Sequence, residues 1–83
     1  MQKVQKEIIR YVLDMDVFSI NTYSGYKGDL IVKLVTKNRQ EVIDIRKFAL
    51  SLGIKEVVIK EKLDTKQYEI FCVTADDDIY TLS

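Results

Sequence analysis

Eighty-three residues with thirteen basic and thirteen acidic side chains describe one small, electrically neutral domain. Zero net charge argues against a protein whose main task is non-specific phosphate binding, although a local basic patch survives that balance. A chain this short buries roughly 60–65% of its extended surface, so residues 1–83 are expected to form a single compact unit around one modest core.

The apolar content of 47% is that of an ordinary globule rather than a disordered tail. Histidine is absent and Cys72 is the only cysteine. An intramolecular disulfide is therefore excluded, zinc and haem sites are not expected, and no cofactor is implied. Within Ile70-Phe71-Cys72-Val73, the cysteine reads as a small buried hydrophobe. No apolar run approaches the ~20 residues of a membrane span, and Met1-Gln2-Lys3-Val4-Gln5-Lys6 lacks the pattern of a signal peptide, so the expectation is a cytoplasmic protein without a membrane partner. The lack of proline, the two alanines and the abundant isoleucine and lysine fit A/T-rich coding, common in low-GC bacteria and their phages.

In chain order, residues 3–15 read as a helix. Val4, Ile8, Tyr11, Val12 and Met15 share a side, Ile9 and Leu13 widen the stripe, and Lys3, Lys6, Glu7, Arg10 and Asp14 lie largely opposite. Residues 17–23 alternate, with Phe18, Ile20 and Thr22 on one side and Ser19, Asn21 and Tyr23 on the other. Ser24-Gly25-Tyr26-Lys27-Gly28-Asp29 is a turn by composition, and residues 30–37 return as the second strand of a hairpin.

Asn38 and Glu41 then have the spacing of a capping box. Val42, Ile45, Phe48, Ala49 and Leu52 recur at helical spacing over 39–52, and Gly53 stands where a left-handed C-terminal residue is commonly needed. Residues 55–63 and 67–75 read as a second hairpin around Asp64-Thr65-Lys66. The ending, 76–83, is a turn with a short fifth strand, or a tail. Asp76-Asp77-Asp78 reads as turn-forming aspartates more readily than as a phosphate mimic.

The order αββαββ looks like one αββ unit used twice. Lys47-Phe48-Ala49-Leu50 echoes Arg10-Tyr11-Val12-Leu13, and Cys72-Val73-Thr74 echoes Leu34-Val35-Thr36. The expected class is α+β, with two helices packed on one face of a four-stranded antiparallel sheet.

The same order is the core of the LAGLIDADG homing endonucleases. Val12-Leu13-Asp14-Met15-Asp16-Val17-Phe18-Ser19-Ile20 resembles their signature helix and the strand after it. Glu41 to Val57 is similar to their helix–glycine–strand rhythm, and Tyr68 to Val73 to the last strand of their sheet. Asp16 matches the family's metal-binding acid. Arg10 and Tyr11, however, stand where small helix-packing residues belong, Val17 replaces the glycine after the acid, and the later helices are missing. The resemblance thus implies the sheet topology rather than the DNA cleavage.

Catalytic constellations are scarce. Without histidine there is no base for a serine or cysteine nucleophile. Asp14 and Asp16 sit two apart at a helix end, where at most one points usefully, and two-metal hydrolysis needs convergent carboxylates. Asp64-Thr65-Lys66 imitates part of a nuclease motif but reads as a polar hairpin turn. Gly25 and Gly28 form no phosphate-binding fingerprint. The chain is therefore expected to be neither an enzyme nor a metal protein.

The face of the sheet away from the helices is the expected binding surface: Asn21, Tyr23, Ile31, Lys33, Val35, Lys37, Val58, Lys60 and Lys62, with Tyr26 and Lys27 reaching from the first turn. Lysines beside a tyrosine suit a DNA or RNA backbone. Ile31, Val35 and Val58 rimmed by lysine suit a protein interface. A solvated face whose lysines discourage edge pairing is the third reading. The fourth strand is apolar on both sides, which leaves surplus apolar surface and points to a protein partner or a homodimer. The resulting expectation is a non-catalytic protein-binding protein, in the manner of small phage or mobile-element inhibitors of host systems, with a nucleic-acid-binding module as the alternative.

Overall fold

A computed structural model describes residues 3–25 and 28–74. Helix α1 (Lys3–Val12) is followed by strands β1 (Ser19–Ser24) and β2 (Leu30–Thr36). Helix α2 (Arg39–Ser51) then leads into β3 (Glu56–Lys62) and β4 (Gln67–Thr74). The strands form one sheet in the order β1-β2-β4-β3, every neighbour antiparallel. The expected class and element order are those observed. The fifth strand and the Asp76–Asp78 turn fall outside the described residues.

Both helices lie on one side. Val32 pairs with Cys72 and Leu34 with Ile70, so these four side chains share a face. The buried cluster that contains them also contains Ile8 and Val12 of α1 and Val42, Ile45 and Ala49 of α2. Ile8, Leu34, Ile45 and Ile70 are completely buried, each stabilising the fold by roughly 1.5–3 kcal/mol relative to exposure.

Strand β1 begins two residues later than expected and the other strand ends differ by about one residue, while the end of α1 and the placement of Tyr11 differ more. Helix α1 stops at Val12 rather than residue 15, and residues 13–16 form turns. The N–H groups of Leu13 and Met15 bond back three residues, to Arg10 and Val12, which tightens the chain out of the helix. Tyr11, expected in the core, is 36% exposed and stacks on Phe48 of α2, ring centroids 4.0 Å apart.

The capping box is half present. Asn38 Oδ1 accepts from the N–H groups of Gln40 and Glu41 at 3.0 and 3.4 Å. Glu41 does not reach back to Asn38; the Asn38 N–H donates to Thr36 Oγ1 instead. The Glu41 carboxylate accepts from the Thr36 hydroxyl at 2.9 Å and from the Asp16 N–H at 2.8 Å, binding α2 to the segment between α1 and β1. Gly53 has φ +76, the left-handed geometry expected at that helix end.

The halves correspond in register. A shift of 37 residues carries α1 into α2 and β1 onto β3, and a shift of 38 carries β2 onto β4. Buried Gln5, Ile8 and Val12 correspond to buried Val42, Ile45 and Ala49. The hydrogen bond from the Phe18 N–H to Val35 O corresponds to that from the Lys55 N–H to Val73 O. With β2 and β4 antiparallel in the middle, the halves are related by an approximate two-fold axis normal to the sheet. It passes near the Lys33–Phe71 pair on one side and the Tyr11–Phe48 stack on the other.

Candidate binding face

Period-two alternation sends every second side chain of each strand away from the helices. The pairing register places Asn21 and Tyr23 of β1, Ile31, Lys33 and Val35 of β2, and Val58, Lys60 and Lys62 of β3 on this open face. The register also settles β4: Glu69, Phe71 and Val73 join the open face, and Tyr68, Ile70 and Cys72 turn to the helices.

At the centre, the Phe71 side chain has Lys33 opposite it on β2 and Val58 opposite it on β3. The ammonium groups of Lys33 and Lys60 stand over its ring, 5.7 and 5.3 Å from the centroid, where the negative face of the ring attracts them. One residue pair along, Glu69 is 8% exposed. Its Oε2 lies 3.0 Å from Lys33 Nζ and 3.8 Å from Lys62 Nζ. The hydrogen bond from Lys33 holds the Glu69 carboxyl below its usual pKa against the opposing pull of burial, and the charges of Lys33, Lys62 and Lys60 lower it further.

Several of the expected site residues therefore come together. Ile31 and Val58 are half-buried, and Lys33, Lys60 and Lys62 surround Phe71 and Glu69. Others do not belong to that centre. Val35 is 7% exposed, buried within the face, and offers a partner little surface. Asn21 and Tyr23 are exposed on the outermost strand, and Lys37 is exposed just past the end of β2. Tyr26 and Lys27 lie outside the described residues.

Glu69 and Phe71 are the functional candidates that sequence reasoning missed. The signal was a single acid in the otherwise uncharged strand Gln67–Thr74. Alternation alone left both sides of that strand equally greasy, and only the pairing with Val32 and Leu34 decides which side is core.

Cys72 is fully buried on the helix side, and burial pushes its thiol up to about 11, so it is protonated and shielded at neutral pH. Asp14 and Asp16 are exposed at the end of α1. Among the described residues no three histidine, cysteine or acidic side chains group as a metal site, and no helix is long and apolar enough to cross a membrane.

Two shallow grooves flank the helix layer at opposite edges of the sheet. One is lined by Gln5, Thr22, Tyr23, Ser24 and Leu30. The other is lined by Arg39, Val42, Ile43, Ile59, Glu61 and Tyr68. They are the same place in the two halves: Gln5, Thr22, Ser24 and Leu30 shift onto Val42, Ile59, Glu61 and Tyr68. The chain itself matches no protein-family model, no curated protein and no solved structure.

Proposed function

We propose that this chain is a non-catalytic binding protein whose open sheet face docks on an acidic patch of another protein. The observation that carries the reading is Phe71, a half-buried aromatic at the centre of the face, with Lys33 and Lys60 over its ring and Ile31 and Val58 beside it. A partly dehydrated aromatic with a cationic rim is the composition of an interface anchor. Carboxylates of a partner would meet Lys60 and Lys62 at the rim, while its apolar groups would cover Phe71. Inhibition of a host system is one task such a chain would perform by masking that acidic patch.

Glu69 weighs against the nucleic-acid alternative. A phosphate chain crossing this face would meet a carboxylate in the middle of it, and two of the lysines already neutralise that carboxylate. A metal-dependent nuclease, the activity of the family that Asp16 resembles, draws no support from the exposed position of that residue. Asp16 is held through its backbone N–H, which donates to the Glu41 carboxylate, rather than through its own side chain.

The test is paired capture from a lysate of the native host, wild type against Phe71→Ser and against Lys60→Glu with Lys62→Glu. A polypeptide retained by the wild type and lost with both variants, but retained by Arg46→Glu on α2, supports the reading. Retention by all variants overturns it, and so does RNA or DNA as the sole ligand, with affinity falling steeply with salt.

A further inference from the structure

The two outer strands of the sheet are equivalent in backbone and opposite in chemistry. Strand β3 carries Glu56, Lys60, Glu61 and Lys62. Charged side chains of that kind keep an edge from pairing with another strand. Strand β1, Ser19-Ile20-Asn21-Thr22-Tyr23-Ser24, has no charge, and all of it after Ser19 is exposed. Its outer row of backbone N–H and C=O groups has no strand beside it among the described residues. Two large apolar side chains sit at the same edge: Ile20, on the helix side by its pairing with Leu34 and 36% exposed, and Phe18, one residue ahead of the strand and 55% exposed.

From this we infer that β1 is a self-association edge, taking β1 of a second copy of this chain in an antiparallel pair. A two-fold axis normal to the sheet would join two four-stranded sheets into one of eight strands with all helices on one side. Antiparallel pairs share a face. Ile20 and Thr22 of one copy would therefore meet the same row of the other on the helix side, and Asn21 and Tyr23 would meet on the open side.

A second copy fits this edge for three reasons. The strand is uncharged, so pairing with itself opposes no like charges. The chain carries no net charge, so no long-range repulsion opposes association. The joint would also cover apolar surface that the monomer leaves bare, because Ile20 of each copy would come beside Thr22 and the groove it lines on the other. The β3 edge is less suited, since a β3–β3 joint would gather Glu56, Lys60, Glu61 and Lys62 of both copies along one seam. The open-face centre stays free in the dimer, so this self-association is separate from the docking proposed above.

Cysteine scanning tests the geometry directly, because the native Cys72 is buried and does not compete. In a two-fold antiparallel joint a residue near the middle of β1 meets its own copy at disulfide distance. Under mild oxidation, one or more of Ile20→Cys, Asn21→Cys and Thr22→Cys is expected to give a covalent dimer. Glu61→Cys, at the corresponding edge of β3, should stay monomeric. Sedimentation of the unmodified chain should show a concentration-dependent dimer that Thr22→Lys shifts to monomer while its far-ultraviolet circular dichroism is unchanged. A chain monomeric from micromolar to millimolar concentration overturns the proposal. So does cross-linking at Glu61→Cys equal to that in β1.

Discussion

Laid over each other, the first half (α1, β1, β2) and the second (α2, β3, β4) agree at most sites of the core and differ at most sites of the open face. Ile8 falls on Ile45, Val32 on Ile70, Leu34 on Cys72 and Thr36 on Thr74, and every one of these is buried in both halves. On the open face Lys33 falls on Phe71, Ile31 on Glu69, Asn21 on Val58 and Tyr23 on Lys60. Close-packed interiors penalise a change of even one methylene, so equivalent core sites stay similar. The open face is enclosed on one side only, and there one backbone presents two chemistries.

The most damaging way to break this comparison is to cut into its shared part. Ile8→Ala and Ile45→Ala each remove a completely buried side chain from equivalent places on the two helices. Each is expected to lower stability by about 2–5 kcal/mol, the range for buried isoleucine truncation. The two losses should be similar if the two sites pack alike, because the loss depends on how far each site collapses around the missing side chain. Urea unfolding followed by circular dichroism measures both, and Ile8→Val with Ile45→Val gives the same comparison where alanine leaves too little folded protein. A large inequality would mean that one half carries the core and the other only leans on it.

A smaller effect should appear where the halves differ in their polar ties. Glu41 holds Thr36 and the Asp16 N–H, whereas the corresponding position in α1 is Val4, which has no carboxylate. Glu41→Ala is expected to cost about 1–3 kcal/mol, since it leaves the part-buried Thr36 hydroxyl and a backbone donor without their acceptor. Amide exchange sharpens the reading: the Asp16 N–H should exchange faster in the variant, while the Gly53 N–H, its counterpart in the second half, keeps its bond to Leu50 O and its protection. Equal acceleration at both would show a general loss of stability rather than a lost local tie.

The comparison also explains what could be read from the residues alone. The six elements, the shared face of both helices and the parity of β1, β2 and β3 follow from periodicity, because Ile8, Leu34 and Ile45 each belong to an apolar stripe that burial favours. The early end of α1 was not legible. The bond that holds the chain there comes from Glu41, 25 residues away, and nothing local at Asp16 announces it. The centre of the open face was not legible for a related reason. Lys33, Lys60 and Lys62 were visible as a row of lysines, but their partners Glu69 and Phe71 come from a strand whose two sides are both apolar. The contact depends on β4 entering between β2 and β3, a fact of sheet order rather than of any one strand.

The finest distinction between the halves is electrostatic, at the position that is Ile31 in the first and Glu69 in the second. Lys33 keeps the folded-state pKa of Glu69 below its value in the unfolded chain. The unfolded state therefore takes up the proton first as the solution is acidified. The ion pair contributes its stability above the unfolded carboxylate value and loses it as the pH falls through the lower folded one. Wild type and Glu69→Gln should then diverge in stability as the pH rises through the usual carboxylate range and hold a constant gap above it. Urea midpoints taken across that range measure the gap. Because Lys33 and Lys62 are partly exposed, salt should narrow it, and it should remain the smallest of the effects described. Lys33→Gln should flatten the same acid limb while leaving Glu69 in place. Parallel curves for wild type and Glu69→Gln would mean that the carboxylate is held by packing alone and that Lys33 is free to meet a partner.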